Sequence, residues 1–321
     1  MKKLLAFVLL FTAFCLLPSG NCFAQDDIMN LLDQNEEPKN EPVLETFKTT
    51  RVINAQSTET VPKNAMDLRI THRFGNIGAA SGGGYSSFYG MDNVANIRIA
   101  FEYGILENWM IGVGRSKTMG NIDAFTKWRF LTQTTNNKVP LSIAVYLNAA
   151  ISPIKRESFY EGVPNYTNNI LHRLSYTAQI IVARKFGNIG SLEILPTYLH
   201  RNYVKVGTDI TSEFVNPNNG ATDKNGLFAL GAAARIKLTK RSSILVEYFY
   251  TFSEFRKNNP TRPYYQPVSI GYEIETGGHV FHMNFSNAVG IIENDFIPNS
   301  PDTWNLGGFK WGFNISRVFN F

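Results

Sequence analysis

Leu306-Gly-Gly-Phe-Lys-Trp-Gly-Phe-Asn-Ile-Ser-Arg-Val-Phe-Asn-Phe321 is the stretch that decides the fold. Phe309, Trp311, Phe313, Ile315, Phe319 and Phe321 share one parity, while Lys310, Gly312, Asn314, Ser316 and Asn320 share the other. Period two means a strand with one apolar and one polar face. An apolar face this long and aromatic would aggregate on an ordinary sheet edge. Closing strands of outer-membrane barrels have this form, ending on an aromatic residue. Phe319 and Phe321 are therefore expected to act as a C-terminal signal for the barrel-assembly machinery.

The N-terminus agrees. Lys2 and Lys3 precede an apolar run from Leu4 to Leu17, followed by Pro-Ser-Gly and Cys22-Phe-Ala24. This reads as a secretory signal peptide over residues 1–24. Its apolar run is shorter than the roughly 20 residues of a spanning helix, and no other segment approaches that length. Membrane structure built from the remainder must be a closed barrel, which satisfies every backbone group in lipid. Both cysteines, Cys15 and Cys22, fall inside the signal, so no disulfide framework or thiol chemistry is expected after it.

Residues 25–64 form a polar, acidic segment with Pro38, Pro42 and Pro62. It holds eight acids and four bases, a net −4, which leaves +7 on residues 65–321. We expect a mostly extended periplasmic extension, with only Ile28–Leu32 able to form a helical turn or two. A solvated tether is the plain reading. The alternatives are a segment that docks on a periplasmic partner, or one that folds into the basic-leaning lumen.

From residue 65 onward about twelve alternating segments follow, near 65–74, 94–105, 108–116, 120–132, 139–152, 170–186, 190–203, 226–239, 242–255, 267–276, 279–289 and 305–321. Ten tilted strand residues span roughly 23 Å, close to the apolar band of a barrel. The long connections occupy odd-numbered positions and the short ones mostly even, as outer-membrane barrels arrange external loops and periplasmic turns. The fold expected is all-β: a closed antiparallel transmembrane barrel of about 12 strands over 65–321, with both termini periplasmic. Pro196 falls mid-strand, where it can donate no ladder bond, and a bulge is expected there.

Face assignment follows from charge. Ile97, Ile99, Phe101, Tyr103 and Ile105 read as lipid-facing, as do Ile244, Val246, Tyr248, Tyr250 and Phe252. Arg or Lys on that face would cost roughly 2–4 kcal/mol at the midplane. The opposite parity then supplies the lumen: Arg69, Arg98, Glu102, Lys127, Arg129 and Arg173 from the first half, and Glu193, Arg235, Glu247, Glu273, His282 and Asn284 from the second. A two-residue turn at Gly277-Gly278 sets Glu273 opposite His282 and Gly271 opposite Asn284. A three-residue turn at 240–242 sets Arg235 opposite Glu247, and Lys185 and Glu193 are expected to meet across the 186–190 turn. Such pairs would brace the interior by neutralising buried ions, or line a solute path.

Several stretches resemble an uncharacterised family of outer-membrane β-barrel proteins from Bacteroidetes-type Gram-negative bacteria, known as a domain of unknown function. They are Phe47-Lys-Thr-Thr-Arg51, Asp67-Leu-Arg-Ile-Thr-His-Arg-Phe74, Ala183-Arg-Lys-Phe186, Pro196-Thr-Tyr-Leu-His-Arg-Asn202, Glu275-Thr-Gly-Gly-His-Val-Phe281 and Gly312-Phe-Asn-Ile-Ser-Arg-Val-Phe319. The resemblance runs from about residue 26 to the C-terminus. It implies a barrel and carries no established activity.

Chemistry is sparsely signalled. His282, Asn284 and Ser286 share a lumenal parity, but His and Ser four apart on a strand stand about 13 Å apart, against about 3 Å for proton transfer. His279 and His282 face opposite ways and make no metal pair. No cofactor, metal or nucleic-acid motif is expected. The expected function is a narrow channel or small-solute transporter with a charged, polar lumen. The alternatives are an anchor or partner of a periplasmic complex and, third, a lipid-modifying enzyme. Outer-membrane lipid is the surrounding partner in each case.

Overall fold

Alternation along each segment produces strands, and closure follows because β1 (Ala65–Asn76) pairs with β12 (Lys310–Asn320) as well as with β2 (Val94–Leu106). A computed structural model describes residues 40–154, 169–207 and 212–321. The expected signal peptide and residues 25–39 lie outside the described residues. Between β2 and β12 run β3 (Trp109–Ser116), β4 (Ile122–Leu131), β5 (Ser142–Ile151), β6 (Leu174–Phe186) and β7 (Gly190–Arg201). They are followed by β8 (Gly226–Lys237), β9 (Ser242–Phe252), β10 (Val268–Thr276) and β11 (His279–Ser286). Each strand pairs antiparallel with its sequence neighbours in one closed barrel of twelve strands. The strand ends that flank 77–93, 117–121, 152–173, 202–225, 253–267 and 287–309 lie at one end of the barrel, and those that flank the mostly short turns lie at the other, with β1 starting and β12 finishing there.

The two faces separate as the parity demands. Ile99, Phe101, Tyr103, Leu147, Val246, Tyr250 and Phe252 point outward, and their neighbours in sequence are buried inside. Inward residues are not all polar. Tyr146, Ile181, Leu195, Leu199, Leu245 and Phe249 are buried on β5–β9 and make one flank of the interior apolar. Gly231 admits the Phe249 ring, because a Cβ there would lie 2.4 Å from it. The charged inward residues concentrate on the opposite flank.

Three expected local features differ. Pro196 causes no bulge: β6 and β7 keep one register on both sides of it, and only the pairing near Ile180 and Ile181 is missing. The proline removes one donor from the ladder without adding a residue to it. Arg235 faces Leu245 rather than Glu247, which faces Ala233. The tight turn is 239–241, closed by Leu238 N–H to Ser242 O at 2.9 Å, one residue earlier than expected. Moving the centre of a hairpin by one residue moves every partner by two. For the third, Lys185 faces Ser191 and bonds Leu44 O at 2.8 Å, leaving Glu193 opposite Ala183.

Candidate functional site

Thr50 to Ser57 fold back on themselves inside the barrel. Ser57 N–H bonds Thr50 O at 3.0 Å, Arg51 bridges Gln56, and Val52 N–H bonds Ala55 O at 2.8 Å. Residues 46–47 and 49–58 are almost fully buried. Of the readings open for the acidic segment, the described part takes the lumenal one. The segment passes over β2 at Gly104, where Asn64 N–H bonds Gly104 O at 2.9 Å. A Cβ on Gly104 would lie 2.0 Å from Pro62 O, so only glycine lets the chain cross there.

Wall side chains hold this hairpin by its turn. Glu247 accepts from the backbone N–H groups of Ile53 at 3.3 Å, Asn54 at 2.8 Å and Ala55 at 2.8 Å, and from Asn54 Nδ2 at 2.8 Å. Successive N–H groups of a turn make a concave anion receptor, here closed on a carboxylate of the wall. Arg73 Nη2 donates to Asn54 Oδ1 at 3.0 Å, and Asn314 Nδ2 to Ile53 O at 3.0 Å. Thr50 Oγ1 donates to Glu102 Oε2 at 2.6 Å and accepts from Arg69 Nη2 at 3.1 Å. Lys127 Nζ donates to Thr50 O at 2.6 Å and Glu59 O at 3.1 Å. At the rim, Lys48 pairs with Glu275 at 2.7 Å and Arg129 with Glu59 at 3.4 Å.

A second segment enters from the long-loop end. Residues 287–297, with the short helix α1 (Glu293–Phe296), descend into the barrel. Phe296 meets Phe249 edge-on at 4.9 Å, Asn294 bonds Thr177 at 2.9 Å, and Thr251 Oγ1 reaches Ile297 O at 3.3 Å. Asn121 Nδ2 donates to Asp295 Oδ1. Burial, with Asp123 nearby, pushes the Asp295 carboxyl up to about 8 despite that bond and Arg98. The two segments touch: Arg51 Nη1 lies 3.4 Å from Glu293 Oε1 and Ile291 O, and Arg51 Nη2 lies 3.3 Å from Tyr146 Oη. At this level Arg51, Arg69, Arg73, Arg98, Lys127 and Tyr146 are under 2% exposed, so water does not reach the middle of the lumen.

The inward candidates divide by role. Arg69, Glu102, Lys127, Arg129 and Glu247 hold the hairpin, as above. Arg98 pairs with Asp123 on the wall at 2.7 Å. Glu273 takes Arg235 at 2.7 Å and His282 at 3.1 Å, the second in the expected register. Glu193 is fully buried with both carboxylate oxygens unbonded, and Asn284 likewise leaves both amide atoms unbonded. Arg173 is not on a strand: it ends the 3-10 turn Ile170–Arg173 at the long-loop rim and donates to Pro153 O at 3.3 Å. Phe321 is exposed beyond β12, and Phe319 pairs with Met66. Sequence reasoning gave no role to Thr50, Asn54, Glu293 or Asp295, because neither segment is a strand and parity is silent there. Charge gave no signal either: residues 40–64 hold three acids and three bases, and the net −4 lies in residues 25–39.

Above α1 the long loops leave an open vestibule of about 780 Å³. In its wall Asp223 takes both forks of Arg201, at 2.9 and 3.0 Å, and of Arg256, at 2.7 and 3.0 Å. Burial alone would raise the Asp223 carboxyl, but Arg256 and Arg201 hold it at about 2.

The family model described as "Membrane bound beta barrel domain (DUF5777)" matches residues 47–319. No curated protein sequence matches the chain. Among solved structures, the NanC porin is similar at 8% identity and TM-score 0.45, covering 80% of this chain and 99% of its own. The KdgM porin is similar at 6% identity and TM-score 0.40, covering 80% and 99%. The COG4313 outer membrane channel from Pseudomonas putida F1 is similar at 12% identity and TM-score 0.41, covering 82% and 98%.

Proposed function

The chain belongs to the membrane-bound β-barrel family matched over residues 47–319, and from that premise we propose that it is a gated conduit of the outer membrane. In this reading the short-turn end faces the periplasm, the hairpin at 50–57 is the inner plug, and the loop carrying α1 is the outer one. The observation that carries it is the docking of the hairpin turn on Glu247. The hairpin is held on two sides: Val52, Ile53 and Ala55 join the apolar flank in one buried cluster, while hydrogen bonds tie its backbone and polar side chains to a charged wall. A permanent filler is most stable when apolar, since replacing buried ion pairs by well-packed apolar groups is often neutral or stabilising. A plug that must leave has to vacate a wall that water can solvate, and Arg69, Glu102, Lys127 and Glu247 provide such a wall. The segment N-terminal to the plug would be the handle through which a periplasmic partner withdraws it.

The test is single-channel recording in planar bilayers of the chain from residue 25, beside Glu247→Gln and a deletion of 40–58. Brief, rare openings in the parent and long, steady ones in both variants are expected. Silence from all three would overturn the conduit and leave the barrel as an anchor for a periplasmic complex, the reading next in line.

A further inference from the structure

The vestibule has a chemistry of its own. Among the described residues its lining carries five cations, Arg173, Arg201, Lys205, Arg256 and Arg262. Three acids face them, Glu213, Asp223 and Asp295. The balance is a surplus of two positive charges, and of three when Asp295 is protonated. The cations are also ordered. Arg256 lies 5.6 Å from the Phe255 ring and 5.8 Å from that of Tyr264, and Arg262 and Lys205 sit 4.4 and 4.5 Å from Phe214. Stacking fixes a guanidinium in place; the edge of Arg256 is directed at Asp223 and Ser253, and Arg262 meets Glu213 at 3.3 Å. Arg256 is further tied by Nε to Pro298 O at 2.8 Å, which connects this wall to the loop carrying α1.

The Arg201–Asp223–Arg256 cluster shows what the cavity accepts. Two planar forks converge on one carboxylate, the geometry that selects carboxylate or phosphate over a point charge. The cluster still keeps one net positive charge, and Arg201 Nε is buried without a partner at the cavity wall. Clefts of one sign with low-dielectric walls concentrate ions of the other. A volume of about 780 Å³ lies within the range of small-molecule sites.

We propose that the vestibule binds a small solute carrying two or more acidic groups, held on one side by the surplus charge of the Arg201–Asp223–Arg256 cluster with Arg201 Nε as donor, and on the other by the charges of Arg262 and Lys205. The aromatic faces of Phe214, Phe255 and Tyr264 pack against its uncharged parts. As the site where a conduit would receive its cargo, the proposal rests on the reading above; as a binding site it does not.

The test is isothermal titration of the full chain in detergent micelles at fixed ionic strength, with citrate, inorganic pyrophosphate and the uncharged maltotriose as probes. At least one anion is expected to bind saturably at one site per chain, and maltotriose is not; which anion binds distinguishes carboxylate from phosphate as the recognised group. Arg256→Gln leaves Arg201 and Asp223 neutral as a pair, and should weaken that binding about tenfold. Arg262→Gln combined with Lys205→Gln changes side chains off the barrel wall, and should weaken it severalfold whether or not Arg256→Gln folds. Absence of anion binding, equal binding of maltotriose, or unchanged affinity in the Arg262/Lys205 double variant overturns the proposal. A chain that binds anions but never conducts overturns the conduit alone, and one that conducts but does not bind overturns the vestibule alone.

Discussion

Arg51 of the inner hairpin and Glu293 of the outer loop meet inside the barrel, Nη1 to Oε1 at 3.4 Å, with their side chains 1% and 0% exposed. Neither charge has water to fall back on, so each segment depends on the other staying in place. Burial by itself would favour a neutral Arg51, but Glu293, Tyr146, Glu102 and Asp123 keep its guanidinium more firmly protonated than usual.

That relationship predicts coupling. Arg51→Met should cost about 3–5 kcal/mol of docking, because it strands Glu293 as a buried charge. Glu293→Gln alone should cost a similar amount, and the pair together clearly less than the sum. Trypsin reads it: Lys48 and Arg51 are cleavage sites shielded only while the hairpin is docked, and Lys48 survives in every variant. Costs that simply add would show that the two segments open independently.

Glu247 is predicted to be the strongest single anchor. Glu247→Gln keeps the shape and loses the charge that four donors share. Charged hydrogen bonds contribute roughly 1.5–3 kcal/mol, so tryptic cleavage at Lys48 and Arg51 should speed up by about ten- to a hundredfold. The heat-shifted gel mobility of the barrel should be unchanged. If barrel and hairpin loosen together, the hairpin is an integral part of the wall and not a separable plug.

The strands were legible because lipid and lumen impose opposite demands on alternate residues. Phe309 to Ser316 and the charges at Arg98, Glu102 and Glu247 obey that alternation, and the Glu273–His282 register followed from Gly277-Gly278. What failed was set by single turn residues or by tertiary contact. One residue of difference at 239–241 sent Arg235 to Glu273 instead of Glu247. The filling of the lumen was not legible as structure, because Thr50–Ser57 and 287–297 have no periodicity. Their buried polar groups make sense only against the wall that receives them.

The outer segment should respond to pH through Asp295. Its folded-state value of about 8 lies above its unfolded value. Such a group binds more protons folded than unfolded, so its contribution is complete in acid and is lost as pH rises toward about 8. The groups facing it are Asp123 and Arg98 on the wall, Asn121, and Glu293 on its own helix, with Arg51 beyond. Docking of the loop, read by the thermal midpoint in detergent, should weaken between mildly acid and mildly alkaline pH. Asp295→Asn should flatten that slope. Asp223, held at about 2 by its two arginines, predicts the opposite sign, with stability lost only as pH falls below the ordinary carboxylate range. A slope unchanged in Asp295→Asn would assign the dependence elsewhere.

Gly104→Ala tests where the inner segment is anchored to the rim. The added Cβ would lie 2.0 Å from Pro62 O and 2.4 Å from Val61 O, and both obstacles are backbone. The strand cannot yield, because β2 is paired on both sides, with β1 and β3. The crossing segment must therefore move, at about the 1–3 kcal/mol typical of overpacking. Gly278→Ala is the control, since nothing lies within 4 Å of its Cβ. We expect Gly104→Ala to accelerate cleavage at Lys48 severalfold and lengthen channel openings, with barrel assembly unaffected, and Gly278→Ala to do neither. Equal behaviour of the two variants would mean that the hairpin is retained by the lumen wall alone, and that the crossing at Gly104 is a path and not a hinge.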